Sequence, residues 1–268
     1  MEEWKDIIVV DSLGIVKTDI EEQYLSHLLC MGGTCRFFFN GQEFELHEGD
    51  LSIIRRRSLV EKIHPSVDFQ CKIIYAKPAF IELSTPQSNY AMKGQLSLFN
   101  NPIIHLTPEQ QILCRRDFDI LEQRVNDTGH LFYRETVINA MQTAILDFFD
   151  FHARIYGHTD ISTQNASIMS RFLAMLEEGT YREHREVSYY AVRLCVTAKY
   201  LSEVSKKVSG YAANYWINRY TILDISRQLR NKSLTFVQIS DMFCFSSPTY
   251  FSRYVQQNLG VKPSDYRE

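Results

Sequence analysis

The segment Thr197–Glu203, TAKYLSE, recurs 50 positions later as Ser247–Arg253, SPTYFSR, and Gly210 recurs in step as Gly260. Upstream of these segments the apolar pattern recurs at an offset of 49, so the connecting turn is one residue longer in the second copy. The repeat predicts that one supersecondary unit is used twice in the last third of the chain.

Each copy has the spacing of two short helices joined by a tight turn. Tyr190, Leu194 and Leu201 fall on the inward faces of two crossed helices. Thr197 and Ser247 are placed to accept a backbone N–H at the start of the second helix of each copy. This arrangement is a helix-turn-helix, which presents its second helix to a groove of DNA. An ordinary helical bundle would explain one such unit, but two units in register favour the helix-turn-helix.

A family resemblance rests on Phe243–Arg267, FCFSSPTYFSRYVQQNLGVKPSDYR. This segment is similar to the second motif of AraC-type DNA-binding domains, from the recognition helix to the terminal Pro-x-x-Tyr-Arg. Two positions depart from the family pattern. Cys244 stands where the family usually has the turn glycine, which alone adopts a positive φ without steric cost. Gln256 and Gln257 replace a frequent lysine pair, which weakens one expected phosphate contact.

The net charge of −3 is divided unevenly along the chain. Residues 161–268 contain 14 Lys and Arg against 9 Asp and Glu, a net charge of +5, whereas residues 1–160 contain 15 against 23, a net charge of −8. A basic region of this kind is the electrostatic footprint of a nucleic-acid-binding domain. We therefore expect DNA contacts in the C-terminal part only.

The predicted recognition helices cover about 197–209 and 247–259, with a helix near 214–230 between them. About 17 residues at 1.5 Å each span ~25 Å, which with turns approaches the ~34 Å of one DNA turn. One chain can thus enter two successive major grooves. The expected DNA-contacting residues are Lys199, Ser202, Glu203, Lys206, Lys207, Arg219, Thr249, Ser252, Arg253 and Gln256.

Different roles are expected of these residues. Arg253 suits bidentate recognition of guanine. Glu203 can accept a hydrogen bond from a cytosine amino group, or it can pair with Lys199 one helical turn earlier. Three further basic residues would meet phosphates and set affinity without specificity: Lys206, Lys207 and Arg219.

The first hundred residues have the composition of short β-strands. Runs such as Arg36–Phe39 and Phe69–Tyr75 are β-rich, and Asn40-Gly41 between two runs is a strong hairpin signal. The pattern predicts a small barrel or sandwich at about residues 20–80. FNGQEFELHEGDL, residues 39–51, resembles the cupin-like sensor barrel often found ahead of AraC-type domains. The expected fold class is α+β, a small β-barrel with a helical segment followed by an all-α double helix-turn-helix.

A metal-dependent cupin enzyme with a helical appendage is the alternative from another functional class. Such cupins gather a His-x-His pair, a glutamate and a later histidine around an open metal site, whereas His47 and His64 each stand alone. We therefore expect neither metal nor cofactor, and no enzymatic activity. Arg55-Arg56-Arg57 is either an anion site or a charged loop or edge strand that resists aggregation.

Two helices are expected between the barrel and the DNA-binding region, at about residues 107–154. Thr107–Gln110 has the pattern of a capping box, and a second helix runs from about Arg134 to Arg154 with a wide apolar stripe. One face must cover the barrel, and the remaining apolar surface either joins the core or pairs with a second copy. In proteins similar to this one, such helices form the dimer contact.

These patterns define the expected domains and partners. Residues 1–156 form a cupin-like sensor or dimerisation domain, 157–166 a linker, and 167–268 an AraC-type double helix-turn-helix domain. Six cysteines without a Cys-x-x-Cys pair, an acidic start and no long apolar run indicate a cytoplasmic protein with reduced thiols and no membrane segment.

The expected function is sequence-specific regulation of transcription. The expected partners are double-stranded DNA, a second copy of the chain, a small-molecule effector and, for an activator, RNA polymerase. A regulator whose N-terminal domain only oligomerises, without any ligand, is the remaining alternative.

Overall fold

The chain divides between residues 160 and 161 into an N-terminal unit of β-sheets and helices and a C-terminal unit of helices. The computed structural model describes residues 6–14, 21, 23–85, 90–157 and 161–267. Residues 158–160 of the expected linker lie outside the described residues, and a helix begins at Thr163 within its C-terminal part.

Two antiparallel sheets form the β-part of the N-terminal unit. The described strands are β1 (Ile7–Val10), β2 (Leu25–Gly32), β3 (Thr34–Phe39), β4 (Gln42–His47), β5 (Leu51–Ile54), β6 (Val60–Pro65), β7 (Gln70–Ala76) and β8 (Ile103–Ile104). One sheet has the order β1-β7-β2-β5-β8 and the other the order β4-β3-β6. The mixed α+β class is confirmed, and the described strands form two separate sheets.

The hairpin predicted at Asn40-Gly41 connects β3 and β4. Asn40 has φ 58° and Gly41 has φ 76°, and Phe39 pairs directly with Gln42. Positive φ at both central residues is the requirement of a type I′ turn, whose twist matches that of the flanking strands. The local sequence therefore sets the register of this hairpin.

Helices cover one face of the five-stranded sheet. They are α1 (Pro78–Ser84), α2 (Tyr90–Asn100), α3 (Pro108–Asn126) and α4 (Tyr133–Tyr156). The capping box at the start of α3 is confirmed, with Thr107 and Gln110 bonded reciprocally. His27 on β2 stacks on Phe148 of α4 with ring centroids 5.7 Å apart. Burial lowers the pKa of His27 to about 4, so it is neutral and packs as a core residue.

The C-terminal unit consists of helices. They are α5 (Thr163–Glu177), α6 (Val187–Arg193), α7 (Ala198–Ser209), α8 (Ala213–Arg230), α9 (Phe236–Met242), α10 (Pro248–Leu259) and α11 (Pro263–Arg267). The pairs α6–α7 and α9–α10 are the two predicted helix-turn-helix units. Four residues, 194–197, connect the first pair and five, 243–247, connect the second, so the predicted extra residue in the second turn is confirmed.

Helix α8 joins the two helix-turn-helix units and packs against both. It contacts α6 and α7 of the first and α9 and α10 of the second. Trp216, Ile217 and Ile225 on this helix are completely buried. The two helix-turn-helix units therefore share one hydrophobic core.

Among the described residues, no helix combines the length and the apolar composition needed to cross a membrane.

Each helix-turn-helix has a cysteine at the equivalent position of its turn, in a left-handed conformation. Cys195 has φ 58° and Cys244 has φ 48°, and both side chains are exposed. The chain thus keeps the positive φ that glycine would adopt at Cys244, at the steric cost that a Cβ brings.

Replacement of Cys244 by glycine should stabilise the protein. The left-handed conformation costs a residue with a Cβ roughly 1–2 kcal/mol, whereas the added freedom of glycine in the unfolded chain offsets about 0.4–1 kcal/mol of this gain. We expect the free energy of unfolding of Cys244→Gly to rise by about 0.5–1 kcal/mol, measured by urea denaturation. Cys244→Ala, which keeps the Cβ, is the control. An equal effect of both variants would contradict the steric explanation.

Candidate nucleic-acid interface

The second helix of each helix-turn-helix unit starts with a hydroxyl N-cap and ends at a glycine. The Thr197 hydroxyl accepts a hydrogen bond from the Tyr200 N–H at 3.1 Å, and the Ser247 hydroxyl accepts one from the Tyr250 N–H at 3.2 Å. Gly210 ends α7 with φ 81° and Gly260 ends α10 with φ 76°. These caps satisfy end groups that have no partner within the helix, so the two helices have the same length of 12 residues.

The predicted contact residues form one exposed face on each helix. On both helices they are spaced i, i+3, i+4 and i+7, which places them on one side, while Leu201 and Phe251 on the opposite side are completely buried. Each position on α7 has its counterpart 50 residues later on α10. The pairs are Lys199 and Thr249, Ser202 and Ser252, Glu203 and Arg253, and Lys206 and Gln256. Ser202 and Ser252 are half-buried, and the other six residues are exposed.

The exposed face of α10 borders an open depression of about 350 Å³. All four predicted residues of α10 line it, together with Lys262 and Ser264 at the start of α11. Sequence reasoning missed these two residues. A signal was present, because Lys262 is a cation two positions after the glycine that ends α10.

The alternative pairing of Glu203 with Lys199 is present in the structure. The Lys199 Nζ and Glu203 Oε1 atoms are 4.0 Å apart, and both side chains are largely exposed. An exposed ion pair of this kind contributes little stability. Glu203 therefore remains available to accept a hydrogen bond from a base.

Arg219 differs from the other predicted basic residues. It lies on α8 rather than on a recognition helix, and it is half-buried. Burial lowers the pKa of its guanidinium below the usual value. Lys206 and Lys207, in contrast, are exposed in the last turn of α7, so they are the more accessible candidates for phosphate contacts.

The comparison with protein families agrees with this geometry. Residues 190–268 match the family model described as "Helix-turn-helix domain". The C-terminal region is an AraC-type helix-turn-helix domain. A search among curated proteins finds no match.

Several solved structures resemble the chain at low sequence identity. A 1.65 Å structure of ToxT from Vibrio cholerae is 13% identical, with a TM-score of 0.43 and coverage of 97% of both chains. ToxT with bound unsaturated fatty acid is 11% identical, with a TM-score of 0.44 and coverage of 97% of this chain and 94% of that chain. The AraC-like transcriptional activator CuxR is 14% identical, with a TM-score of 0.39 and coverage of 82% and 76%.

Outside the helix-turn-helix domain, the N-terminal unit contains a cavity of about 50 Å³. Most of its lining is apolar. At one side, the Glu21 carboxylate accepts hydrogen bonds from the Tyr75 hydroxyl and the Arg57 Nε, both at 2.8 Å. Burial and the contact with Glu21 raise the pKa of Tyr75, so its hydroxyl stays protonated and donates. Arg57 also donates to the Val60 carbonyl at 3.1 Å, and these contacts give it a structural role.

Ser52 is the unusual polar residue of this cavity. It lies on β5, its side chain is buried, and its hydroxyl oxygen has no hydrogen-bond partner among the described residues. A buried hydroxyl without a partner costs about 1–3 kcal/mol. As far as the structure describes the chain, the cavity therefore contains a hydroxyl group that makes no hydrogen bond.

The two histidines considered as metal ligands lie on different strands. His47 is on β4 and His64 is on β6, and both are exposed. Within the described residues, no group of three or more His, Cys, Asp or Glu side chains is placed to hold a metal ion.

Arg253→Ala should change both affinity and specificity of the helix-turn-helix domain. Loss of a bidentate contact to guanine is expected to cost about 1–3 kcal/mol and to relax the preference at one base pair. Asn258→Ala, at an exposed position on the opposite side of α10, is the matched control. Binding to a panel of single-base variants of the preferred site measures both effects. A loss of equal size on every sequence would instead identify Arg253 as a phosphate contact.

Proposed function

We propose that this protein is a sequence-specific transcription regulator that places α7 and α10 in two successive major grooves of DNA. The correspondence of their exposed faces, residue by residue on two equally capped helices, is the observation that carries this proposal. The net charge of +5 on residues 161–268 supports it, because cationic surfaces attract the phosphate backbone. A cytoplasmic location follows from this role, and RNA polymerase is the partner expected of an activator.

The length of α8 is compatible with this mode of binding. Its 18 residues span about 27 Å at 1.5 Å per residue. With the flanking turns, this approaches the ~34 Å that separates equivalent major grooves on one face of DNA.

Selection of bound sequences from random DNA tests the proposed function. The full-length protein should enrich sites with two conserved boxes whose centres are about 10–10.5 base pairs apart. Arg253→Ala should lose the preference at one position of one box. Enrichment of a single box, or of no sequence, would contradict insertion of both helices.

We further propose that the cavity beside Ser52 binds a small, uncharged and mostly apolar effector. A cavity of about 50 Å³ accommodates about three to five water-sized groups. Arg57 already neutralises Glu21, so a charged ligand would unbalance the site. A single hydroxyl or carbonyl group on the ligand would satisfy the buried Ser52 hydroxyl.

Ser52→Ala should stabilise the free protein and weaken effector binding. Removing the unpaired hydroxyl should raise the free energy of unfolding by about 1 kcal/mol, measured by urea denaturation. Small uncharged alcohols or ketones that raise the melting temperature of the wild type should raise that of Ser52→Ala less. Ser26→Ala, elsewhere in the same cavity lining, is the control. A destabilised Ser52→Ala protein would show that the hydroxyl is already satisfied.

Dimerisation through α3 and α4 is a separate proposal. Ile112 and Ile120 on α3 and Leu146 on α4 are large apolar side chains that remain exposed. Exposed apolar surface of this kind is suited to association with a second copy.

A fragment that begins at Ser162 tests the role of these helices. It starts at the N-cap of α5 and retains helices α5–α11 with their buried residues, so we expect it to fold and to bind DNA with steep salt dependence. The full-length protein should prefer paired sites through effective concentration, and the fragment should not. Gel-shift titrations on single and paired sites measure this. An equal preference for paired sites in the full-length protein and the fragment would assign α3 and α4 to the core rather than to an interface.

A further inference from the structure

Arg185 connects the segment before the first helix-turn-helix to the turn of the second. It lies between a 3-10 turn at Thr180–Arg182 and the start of α6. Its guanidinium donates to the backbone carbonyl of Phe243 and, at 3.3 Å, to that of Cys244. It also lies 4.3 Å from the centroid of the Phe245 ring. One side chain therefore contacts three consecutive residues of the second turn.

The chemistry of these contacts suits an arginine. The carbonyl groups at the C-terminal end of a helix, here α9, lack partners within the helix and carry partial negative charge. A planar guanidinium can donate to two carbonyl groups at once and stack on an aromatic ring. A lysine ammonium has the same charge but lacks the planar fork.

The neighbouring Arg182 anchors the same segment on α8. Its Nε and Nη2 atoms both lie 2.7 Å from the Asp224 Oδ2 atom, and the Tyr181 hydroxyl donates to this oxygen at 3.0 Å. The Arg182 guanidinium carbon also lies 5.8 Å from the centroid of the Phe243 ring. The segment 181–185 is thus fixed to the helix that joins the two motifs and to the turn of the second motif.

The first motif has a much weaker version of this contact. The carbonyl of Arg193, at the end of α6, accepts a single hydrogen bond of 3.5 Å from the exposed Arg171 of α5. Arg171 is therefore a natural control for Arg185.

We propose that Arg185 is a positioning residue that fixes the second helix-turn-helix relative to the first and thereby sets the spacing between the two boxes of the DNA site. The part of this inference that concerns DNA rests on the proposed function. One additional base pair moves the second box by ~3.4 Å and rotates it by about 34–36°. Two recognition helices held in a fixed relative position cannot follow this change. Two helices whose relative position can vary are able to follow it.

Binding to sites of different spacing tests the proposal. For the wild type and Arg171→Met, one inserted or deleted base pair should weaken binding about fivefold or more, the loss of roughly one good base contact. For Arg185→Met the difference between spacings should fall below about twofold. Arg185→Lys, which retains the charge, should also lose most of the spacing preference. An unchanged preference, or an equal loss of affinity at every spacing, would overturn the proposal.

A second measurement does not require DNA. Cys195 and Cys244 are exposed on the two turns, whereas the other four cysteines are buried, so spin labels can be attached to the native thiols. The hydrogen bond from Arg185 to Cys244 goes to the backbone carbonyl, so the labelled side chain takes no part in it. Electron-spin distance measurements should give a narrow distribution for the wild type and Arg171→Met, and a broader one for Arg185→Met.

The two measurements separate the possible failures. An unbroadened distribution in Arg185→Met and Arg185→Lys would overturn the positioning role even if DNA binding is intact. The distance distribution could broaden in the Arg185 variants while the wild type shows no preference among DNA sequences. This result would support the positioning role and contradict the proposed function. Circular dichroism melting shows whether each variant folds. If Arg185→Met fails to fold, Arg185→Lys supplies both the spacing preference and the distance distribution.

Discussion

Burial of α8 between the two helix-turn-helix units is the constraint on which the C-terminal unit depends. Trp216, Ile217 and Ile225 lose all contact with solvent in this arrangement, and burial of such side chains contributes roughly 1.5–3 kcal/mol each. Two buried polar side chains of the same helix, Trp216 and Asp224, have hydrogen-bond partners. The Trp216 Nε1–H donates to the Ser209 hydroxyl at 2.7 Å, and Asp224 accepts from Tyr181 and Arg182. Because neither motif can bury α8 alone, the two motifs fold as one unit.

The turns determine how the recognition helices leave this core. In each turn a cysteine adopts the left-handed conformation that glycine adopts more easily. The caps at Thr197 and Ser247 then start the recognition helices at equivalent positions. Only the second turn is also held by Arg185. Local strain and a tertiary contact thus act on the same residue, Cys244.

Local sequence signals predicted much of this structure. The caps at Thr107, Thr197 and Ser247 and the hairpin at Asn40-Gly41 were recognisable because each depends on a few neighbouring residues. The spacing of the apolar residues likewise indicated which faces of the recognition helices are buried. Charge counted along the chain located the basic region.

Other features depend on contacts between distant residues and could not be predicted. Arg185 and Phe243 are 58 positions apart, and nothing in their local sequence indicates that they meet. The contact of Glu21 with Arg57, and the position of the Ser52 hydroxyl, which has no partner among the described residues, depend on how distant segments of the chain associate. The partial burial of Arg219 has a similar origin, because α8 is covered on several sides and its periodicity does not reveal a single exposed face.

The two recognition faces are related by duplication, but their chemistry has diverged. Where α7 has an acidic residue, Glu203, α10 has a basic one, Arg253, and where α7 has Lys206, α10 has the neutral Gln256. Rotating the chain end for end on a duplex would therefore exchange unlike surfaces. A single chain that binds as proposed is therefore directional on DNA, so a non-palindromic site would fix which of the two helices, α7 or α10, lies in which major groove.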